Sequence, residues 1–342
     1  MHYAAVLKKD AQRTKTLLLR NNLLAKGYLV QHSARYVYFP IDIAKAKNKK
    51  LTAGLKIADM EFSNPQKRSH PSYKDALKGL LGDGYEGFML GYDAMGNIAV
   101  IELDGHAESK RKQIAQAIMD GSKRISTVLA KAGPVSGPYR VRKFRYIAGK
   151  RSFIAKYSEN GCSFLFDVRR VFFSPRLSFE RSRLAKLVSG HENVIVPFAG
   201  VGPFAIEIAK AHQGCKVVAI ELNPAAYSYL LKNIKLNGTG NVVPVLGDFA
   251  EQAKNYMGFA DRVVMPMPMA SSDFINAAAE VAKKKAVIHM YAFCKLKESG
   301  TFAAGVLKRF EAAGRKARLI GMRTVRPYSR DDIEVVLDIG IG

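Results

Sequence analysis

Two groups of residues in this chain have the types and spacing for chemistry. The first is Phe198-Ala199-Gly200-Val201-Gly202-Pro203, with Glu221 at the end of the next apolar run. Glycines let a backbone turn sharply and approach a ligand with no Cβ in the way. Pro203 suits the first turn of a helix, where its missing N–H is not needed. A carboxylate at Glu221 can accept two ribose hydroxyls. The same pattern fits the G-x-G-x-x-G/A dinucleotide fingerprint, and a tight strand–helix turn without a ligand is a third reading. The second group is Val171–Arg183, VFFSPRLSFERSR. Ser178 can cap a helix starting at Phe179, which puts Glu180 in its first turn, where the dipole favours a carboxylate. Simple dipole pairing is the plain alternative for Glu180, and surface cations for Arg176 and Arg181.

The elements that must hold these groups follow from the apolar runs. Val194–Leu222 reads as a buried strand, a glycine turn, a helix and a second buried strand. Glu221-Leu222-Asn223-Pro224 then leads into a helix over Ala225–Leu236, a strand over Val242–Leu246, and Gly247-Asp248-Phe249. Asp248 can take an adenine amino group, with Phe249 beside the ring. A fourth strand from Arg262 runs into Pro266-Met267-Pro268. The strand–helix alternation from Phe164 predicts a doubly wound parallel sheet, with a ligand across its carboxyl ends. This succession of strand ends is the layout of S-adenosylmethionine methyltransferases rather than of NAD enzymes. Ala286–Phe293 and Ile333–Ile339 complete the sheet, and His289 reads as a core histidine.

The front half is different. Residues 1–57 look like a small basic α/β module, with one helix carrying Leu17, Leu18, Leu19, Leu23 and Leu24, and one strand over Arg35–Ile41. Its acidic residues are Asp10 and Asp42 only, against twelve Lys and Arg, with Tyr28, Tyr36, Tyr38 and Phe39 interleaved. Such a face could grip a folded RNA, or be a solvated surface over an aromatic core. After the linker Ser63–Pro71, residues 58–163 read as a middle α+β domain. Gly87–Leu103 is two strands around Met95-Gly96-Asn97, Lys110–Ala132 has helical spacing, Gly133–Pro138 is a loop, and Arg140–Ala148 pairs with Phe153–Lys156. Residues 164–342 form the third domain. The net charge of +25 favours no fold and points to an anionic partner, nucleic acid before membrane. A uniformly basic host, or a thermophile's Lys-rich surface, is the plain alternative. The scattered Cys162, Cys215 and Cys294 argue against a zinc site or a disulfide framework and suit a cytoplasmic location. No apolar run is long enough to span a membrane.

FFSPRLSFERSR, VPFAGVGPFAI, ELNPAAYSYLLKNIKLN and GD, with GNIAVIEL, SGPYRVRKF and ENG upstream, resemble the archaeal and eukaryotic tRNA (guanine-37-N1)-methyltransferase family. The resemblance implies a class I Rossmann-like methyltransferase sheet preceded by two smaller α+β domains. It implies methyl transfer from S-adenosylmethionine to N1 of guanosine 37, beside the anticodon, by a monomer whose first domain holds the tRNA outer corner. Carried over, the catalytic set is Glu180 as general base, Arg140 at guanine O6, Arg176 and Pro268. The cofactor set is Arg181, Phe198, Ala199, Gly200, Val201, Gly202, Glu221, Leu222, Asn223, Asp248, Phe249 and Pro266, with no metal. The chain departs from the family's common pattern in four places. Val196-Pro197 replaces Asp-Met before Phe-Ala-Gly, and Pro266-Met267-Pro268 replaces Asn-Leu-Pro. Tyr157 and Ala155 replace a usual His and a polar residue. The first two changes resemble the archaeal branch implicated in wyosine synthesis, some of whose members also methylate C7 of imG-14. An aminocarboxypropyl transferase acting at the same tRNA position, and a non-catalytic RNA-binding scaffold, are the alternatives. The SPR-x-x-x-E spacing and Pro268 favour methyl transfer over the former.

Overall fold

The computed structural model describes residues 2–25, 30–33, 35–42, 44–45, 56–59, 77, 79, 91–103 and 105–342, and the chain divides into units 1–76 and 77–342. In the first unit, β1 (His2–Leu7), α1 (Ala11–Arg20), β2 (Gln31–His32), β3 (Tyr36–Pro40) and β4 (Lys56–Asp59) build an antiparallel sheet of order β2-β3-β1-β4 with one helix. The five leucines expected on one helix are split. Asn22 adopts a left-handed φ of 53° just after α1, so Leu23 and Leu24 lie beyond it. Leu18 and Leu23 enter a core with Ala4, Val6, Val37, Phe39 and Ile41. The period-2 alternation of β3 sends Phe39 inward and leaves Tyr36 and Tyr38 half-buried on the other face. Tyr28 and the expected linker Ser63–Pro71 lie outside the described residues.

The second unit begins with β5 (Tyr92–Met95), β6 (Ile98–Ile101), short α2 (Gly105–Glu108), α3 (Arg111–Gly121), β7 (Thr127–Ser136) and β8 (Val141–Gly149). The four strands form one sheet in chain order. The helix expected over Lys110–Ala132 ends at Gly121. Thr127–Ala130 are instead buried in β7, where a β-branched pair packs better than on a helix. The expected loop from Gly133 is absorbed into β7 as well, through a register shift between Lys131 and Val135. β8 pairs with β7 rather than with Phe153–Lys156.

That segment instead belongs to a separate hairpin of β9 (Ile154–Glu159) and β10 (Cys162–Asp167). The β5–β6 turn locks onto it. Asn97 Oδ1 accepts the Lys156 N–H at 2.7 Å, and Gly96, at φ 63°, lies so close that a Cβ would stand 1.9 Å from the Lys156 carbonyl oxygen. β4 and β10 run through the boundaries expected at 57/58 and 163/164.

The remainder comprises α4 (Ser178–Leu187), β11 (Asn193–Pro197), α5 (Pro203–Ala211), β12 (Lys216–Glu221), α6 (Pro224–Asn237), β13 (Val242–Leu246), α7 (Phe249–Gln252), β14 (Ala260–Met265), α8 (Ile275–Val281), β15 (Ala282–Lys295), α9 (Ser299–Ala312), β16 (Ala317–Pro327) and β17 (Asp332–Ile341). The strands form a seven-stranded sheet of order β13-β12-β11-β14-β15-β17-β16. β17 is antiparallel to both its neighbours, while the pairs from β13 to β15 are parallel. Val194, Ile195 and Val196 are fully buried because both faces of the sheet are covered, which is why β11 reads as a continuous apolar run. Each such side chain contributes about 1.5–3 kcal/mol. Two apolar layers result. One joins β9–β10, α4, α5 and α6 to one face of the sheet, and the other packs α8 and α9 on the opposite face. Among the described residues, no helix is long and apolar enough to cross a membrane, and no three His, Cys, Asp or Glu gather as a metal site. The three cysteines are buried and unpaired.

Candidate active site

The glycine turn follows β11 and opens α5, as the spacing predicts. Phe198, Gly200 and Gly202 all take left-handed φ values of 55°, 59° and 92°. For Phe198 this conformation costs about 1 kcal/mol or more, and such strain persists where the surroundings demand it. Gly202 is required for packing, since a Cβ there would stand 2.5 Å from Leu230 Cδ1 of α6. Gly200 N–H donates to Glu221 Oε2 at 2.6 Å and Asn223 N–H to Oε1 at 2.8 Å, so the carboxylate ties two strand ends together. Burial pushes the Glu221 carboxyl up, opposed by the N–H groups of Asn223, Gly200 and Leu222. Each oxygen retains a lone pair for a hydroxyl.

The neighbouring strand ends complete the turn. Asn223 caps α6 through Ala225 N–H at 2.9 Å and donates to the Arg170 carbonyl, while Leu222 is exposed. Asp248 caps α7 through Ala250 N–H at 2.7 Å. Phe249 is buried rather than presenting a free face. It forms an aromatic wall with Phe198 and Phe274, at ring separations of 5.9 and 6.1 Å. Ala199 and Val201 are buried. Pro266 and Pro268 lie half-buried in the loop after β14. Carboxylates at two neighbouring strand ends, Glu221 and Asp248, an aromatic wall and a glycine cradle are a donor set that fits an adenosine-bearing cofactor.

Glu180 lies in the first turn of α4. The helix starts at Ser178, one residue earlier than expected, because the 3-10 turn Pro175–Leu177 runs straight into it. Ser178 therefore makes no side-chain cap. Its carbonyl accepts from Asn160 Nδ2 at 3.1 Å instead. The Glu180 side chain is 2% exposed. Arg183 Nε and the Tyr291 hydroxyl donate to its Oε2, both at 3.0 Å, and Arg323 meets Oε1. Tyr291 packs on Phe204, in the first turn of α5, at 5.9 Å. One aromatic pair thus links Glu180 to the glycine turn.

Behind Glu180 runs a chain of paired charges. Arg183 Nη1 bonds Asp338 Oδ2 at 3.2 Å, and Asp338 Oδ1 accepts from His289 Nδ1 at 2.6 Å. His289 Nε2 accepts from Arg262 Nη1 at 2.6 Å, and Arg262 grips Glu192 at 2.6 and 2.9 Å. Because arginine only donates, His289 must carry its proton on Nδ1. Burial, outweighing Asp338, pushes the imidazole below its ordinary value and keeps it neutral. His289 is the satisfied core histidine that the sequence suggested.

The remaining arginines are held differently. Arg140 occupies the β7–β8 turn with a left-handed φ of 52°. Burial lowers its affinity for the proton, while Tyr328 at the exit of β16 raises it. Arg176 donates to Asp93 of β5 at 2.8 Å and is not among the partners of Glu180. Arg181, one residue past Glu180 and a third of a helical turn away, faces α5 and the hairpin. Its guanidinium, 2% exposed, bonds Glu159 at 2.5 and 2.9 Å and the Ser174 carbonyl at 3.2 Å. It also lies over the rings of Phe173 and Phe204 and 3.5 Å from Glu207. Burial opposes ionisation of Glu159, but Arg181, Ser178 and Tyr157 hold it below its ordinary value. Glu207, buried beside Glu159, is pushed up to about 8.

Sequence reasoning missed Arg183, Tyr291, Arg323, Asp338, Glu159 and Glu207. Arg183 carried a signal, lying three residues past Glu180 on the same helix face, and Glu159 opens the ENG motif. Tyr291, Arg323 and Asp338 come from distant strands, and Glu207 from α5.

Comparisons with known proteins identify the family. The family model for the TRM5/TYW2 methyltransferase domain matches residues 155–320. Models for the TYW2 N-terminal domain and the tRNA methyltransferase 5 N-terminal domain match 73–152 and 5–48. The tRNA (guanine(37)-N(1))-methyltransferase Trm5b of Pyrococcus abyssi is 30% identical over 97% of this chain and 97% of its own. The tRNA (guanine(37)-N(1))/4-demethylwyosine(37)-methyltransferase Taw22 of Nanoarchaeum equitans is 28% identical over 74% of this chain and 96% of its own. A solved complex of aTrm5 with tRNALeu superposes with a TM-score of 0.70 at 27% identity, covering 100% of both chains. The chain belongs to the TRM5/TYW2 family of tRNA methyltransferases.

Proposed function

We propose that this protein methylates N1 of guanosine 37 in tRNA, using S-adenosylmethionine. The observation that carries the reading is the placement of Glu180 one aromatic pair from the glycine turn. When bound, the cofactor supplies an electrophilic methyl group. Phe198–Gly202, Glu221 and Asp248 would hold it, with Pro266 at the loop after β14. Guanine N1 carries a proton at neutral pH and is a poor nucleophile. Glu180 takes that proton as general base. Arg140, a cation at a sharp turn, donates to O6 as negative charge builds there. Arg176 and Pro268 belong to the walls that orient the base, and Arg181, expected among the cofactor contacts, instead braces α4 through Glu159 and the Ser174 carbonyl. Guanosine 37 leaves the loop stack to enter, as base-modifying enzymes generally require. Residues 1–57 hold the tRNA outer corner, residues 58–163 carry Arg140, and residues 164–342 carry the cofactor. The enzyme acts as a cytoplasmic monomer.

A second substrate, C7 of imG-14, is favoured by Pro197 with Pro266-Met267-Pro268 and by the likeness to Taw22. Methylation of tRNA transcripts bearing G37 or A37, with nucleoside mass spectrometry, tests the main reading. 1-Methylguanosine from G37 and no product from A37 is expected, and equal labelling of both would refute it. The same assay on imG-14-containing tRNA tests the second substrate.

A further inference from the structure

The two arginines on Glu180 are held in different ways. Arg183 is fixed from behind. Asp338 holds its Nη1, and His289, Arg262 and Glu192 hold Asp338 in turn, so its side chain is 18% exposed. Arg323 has no carboxylate partner but Glu180 among the described residues, and its side chain is 40% exposed. It lies over the ring of Phe179, 5.4 Å from the centroid, and that ring is itself 71% exposed.

The strand that carries Arg323 is shaped for this position. The pairing of β16 with β17 shifts register between Leu319 and Gly321, and again between Thr324 and Arg326. Arg323 therefore sits in a short segment between two irregularities, which re-aim side chains and bend an edge strand. Among the described residues β16 is the outermost strand of the sheet, with Arg318 exposed on it and Tyr328 and Arg330 exposed just past its end.

With Arg183 and Tyr291 both on Oε2, Oε1 is the oxygen left to receive a proton, and Arg323 stands on it. Arg183 cannot leave without giving up its bond to Asp338 Oδ2 as well. The Tyr291 hydroxyl is buried, and burial raises its affinity for its proton. Arg323 is the partner that can go. We infer that Arg323 leaves Glu180 for a phosphate of the bound RNA, so that docking of the polyanion uncovers the base. The inference rests on Glu180 being the base. Around it stand Arg183 on its own helix, Tyr291 on β15, Arg323 on β16, and Asp338 and Glu334 on β17, Glu334 being paired with Arg326.

The test uses the full-length protein with S-adenosylmethionine and a tRNA transcript, comparing wild type, R323Q, R323K and E180Q. An arginine that reaches a phosphate contributes about one unit to the slope of log Kd against log salt. R323Q should lower that slope by about one, and R323K should restore it. The pH at which the single-turnover rate is half-maximal should be the same in R323Q as in wild type, because Arg323 has already left in the complex. An unchanged salt slope overturns the proposal. So does a lowered slope with the half-maximal pH moved upward, which would mean that Arg323 stays on Glu180. E180Q isolates the underlying reading. It should slow single turnover by roughly 10²–10⁴. A wild-type rate in E180Q removes Glu180 as the base, whatever the salt slope of R323Q.

Discussion

Replacing Glu207 with Gln should stabilise the protein at neutral pH. Glu207 and Glu159 share one arginine, Arg181, inside the layer between the β9–β10 hairpin and α5. Two ionised carboxylates on one guanidinium would leave an uncompensated buried charge. Glu159 keeps the charge and Glu207 keeps a proton, its value raised from 4.5 to about 8. The unfolded carboxyl ionises above about 4.5, while the folded one resists until about 8. Stability is therefore complete below the lower value and is lost as pH rises between the two. Holding the proton costs below about 1 kcal/mol at pH 5 and about 3 kcal/mol at pH 7. Glutamine carries no charge to suppress. Its amide can donate to Glu159, and its carbonyl can accept from Asn160, which now donates to Glu207 at 2.8 Å. Denaturant unfolding of both proteins from pH 5 to 9 measures the difference. The advantage of E207Q should be small at pH 5 and grow to about 3 kcal/mol near neutrality, or roughly 5–10 °C in Tm. A variant less stable at every pH, or a gap that does not widen from pH 5 to 8, refutes the reasoning that Glu207 holds a proton beside the shared Arg181.

Two further outcomes are expected. Arg140→Ala should lower the single-turnover rate at every pH, with a smaller effect on tRNA Kd; a loss confined to Kd would make Arg140 a phosphate contact instead. Gly202→Ala should destabilise by about 1–3 kcal/mol and weaken cofactor binding by calorimetry. Its Cβ would stand 2.5 Å from Leu230, and its φ of 92° suits glycine, so an unchanged Tm would contradict that geometry.

Local signals carried most of the methyltransferase sheet into view. The run Val194–Val196, the turn at Phe198–Gly202 and the capped helix after Asn223 each have a short-range cause. The middle region was harder. Its β7 starts with residues that also fit a helical spacing, and only pairing with β6 and β8 decides for a strand. The candidate site was half legible. Glu180, Glu221 and Asp248 sit beside motifs that announce them, but their partners do not. Arg323 and Tyr291 reach Glu180 from strands over a hundred residues away, and no spacing rule spans that distance. For the same reason the commitment of Arg181 to Glu159 was invisible, since a hairpin turn delivers the carboxylate.

The position of β17 constrains how this protein is made. It follows β16 in the chain, yet it lies between β15 and β16 in the sheet. A ribosome delivers residues in order, so β16 emerges with no strand to pair with and waits for β17. Asp338, which steadies Arg183, arrives on that same late strand. The glycine turn can therefore take shape on a half-made sheet, while the clamp on Glu180 is assembled last. A nascent chain reaches its nucleotide fold well before it acquires a working base.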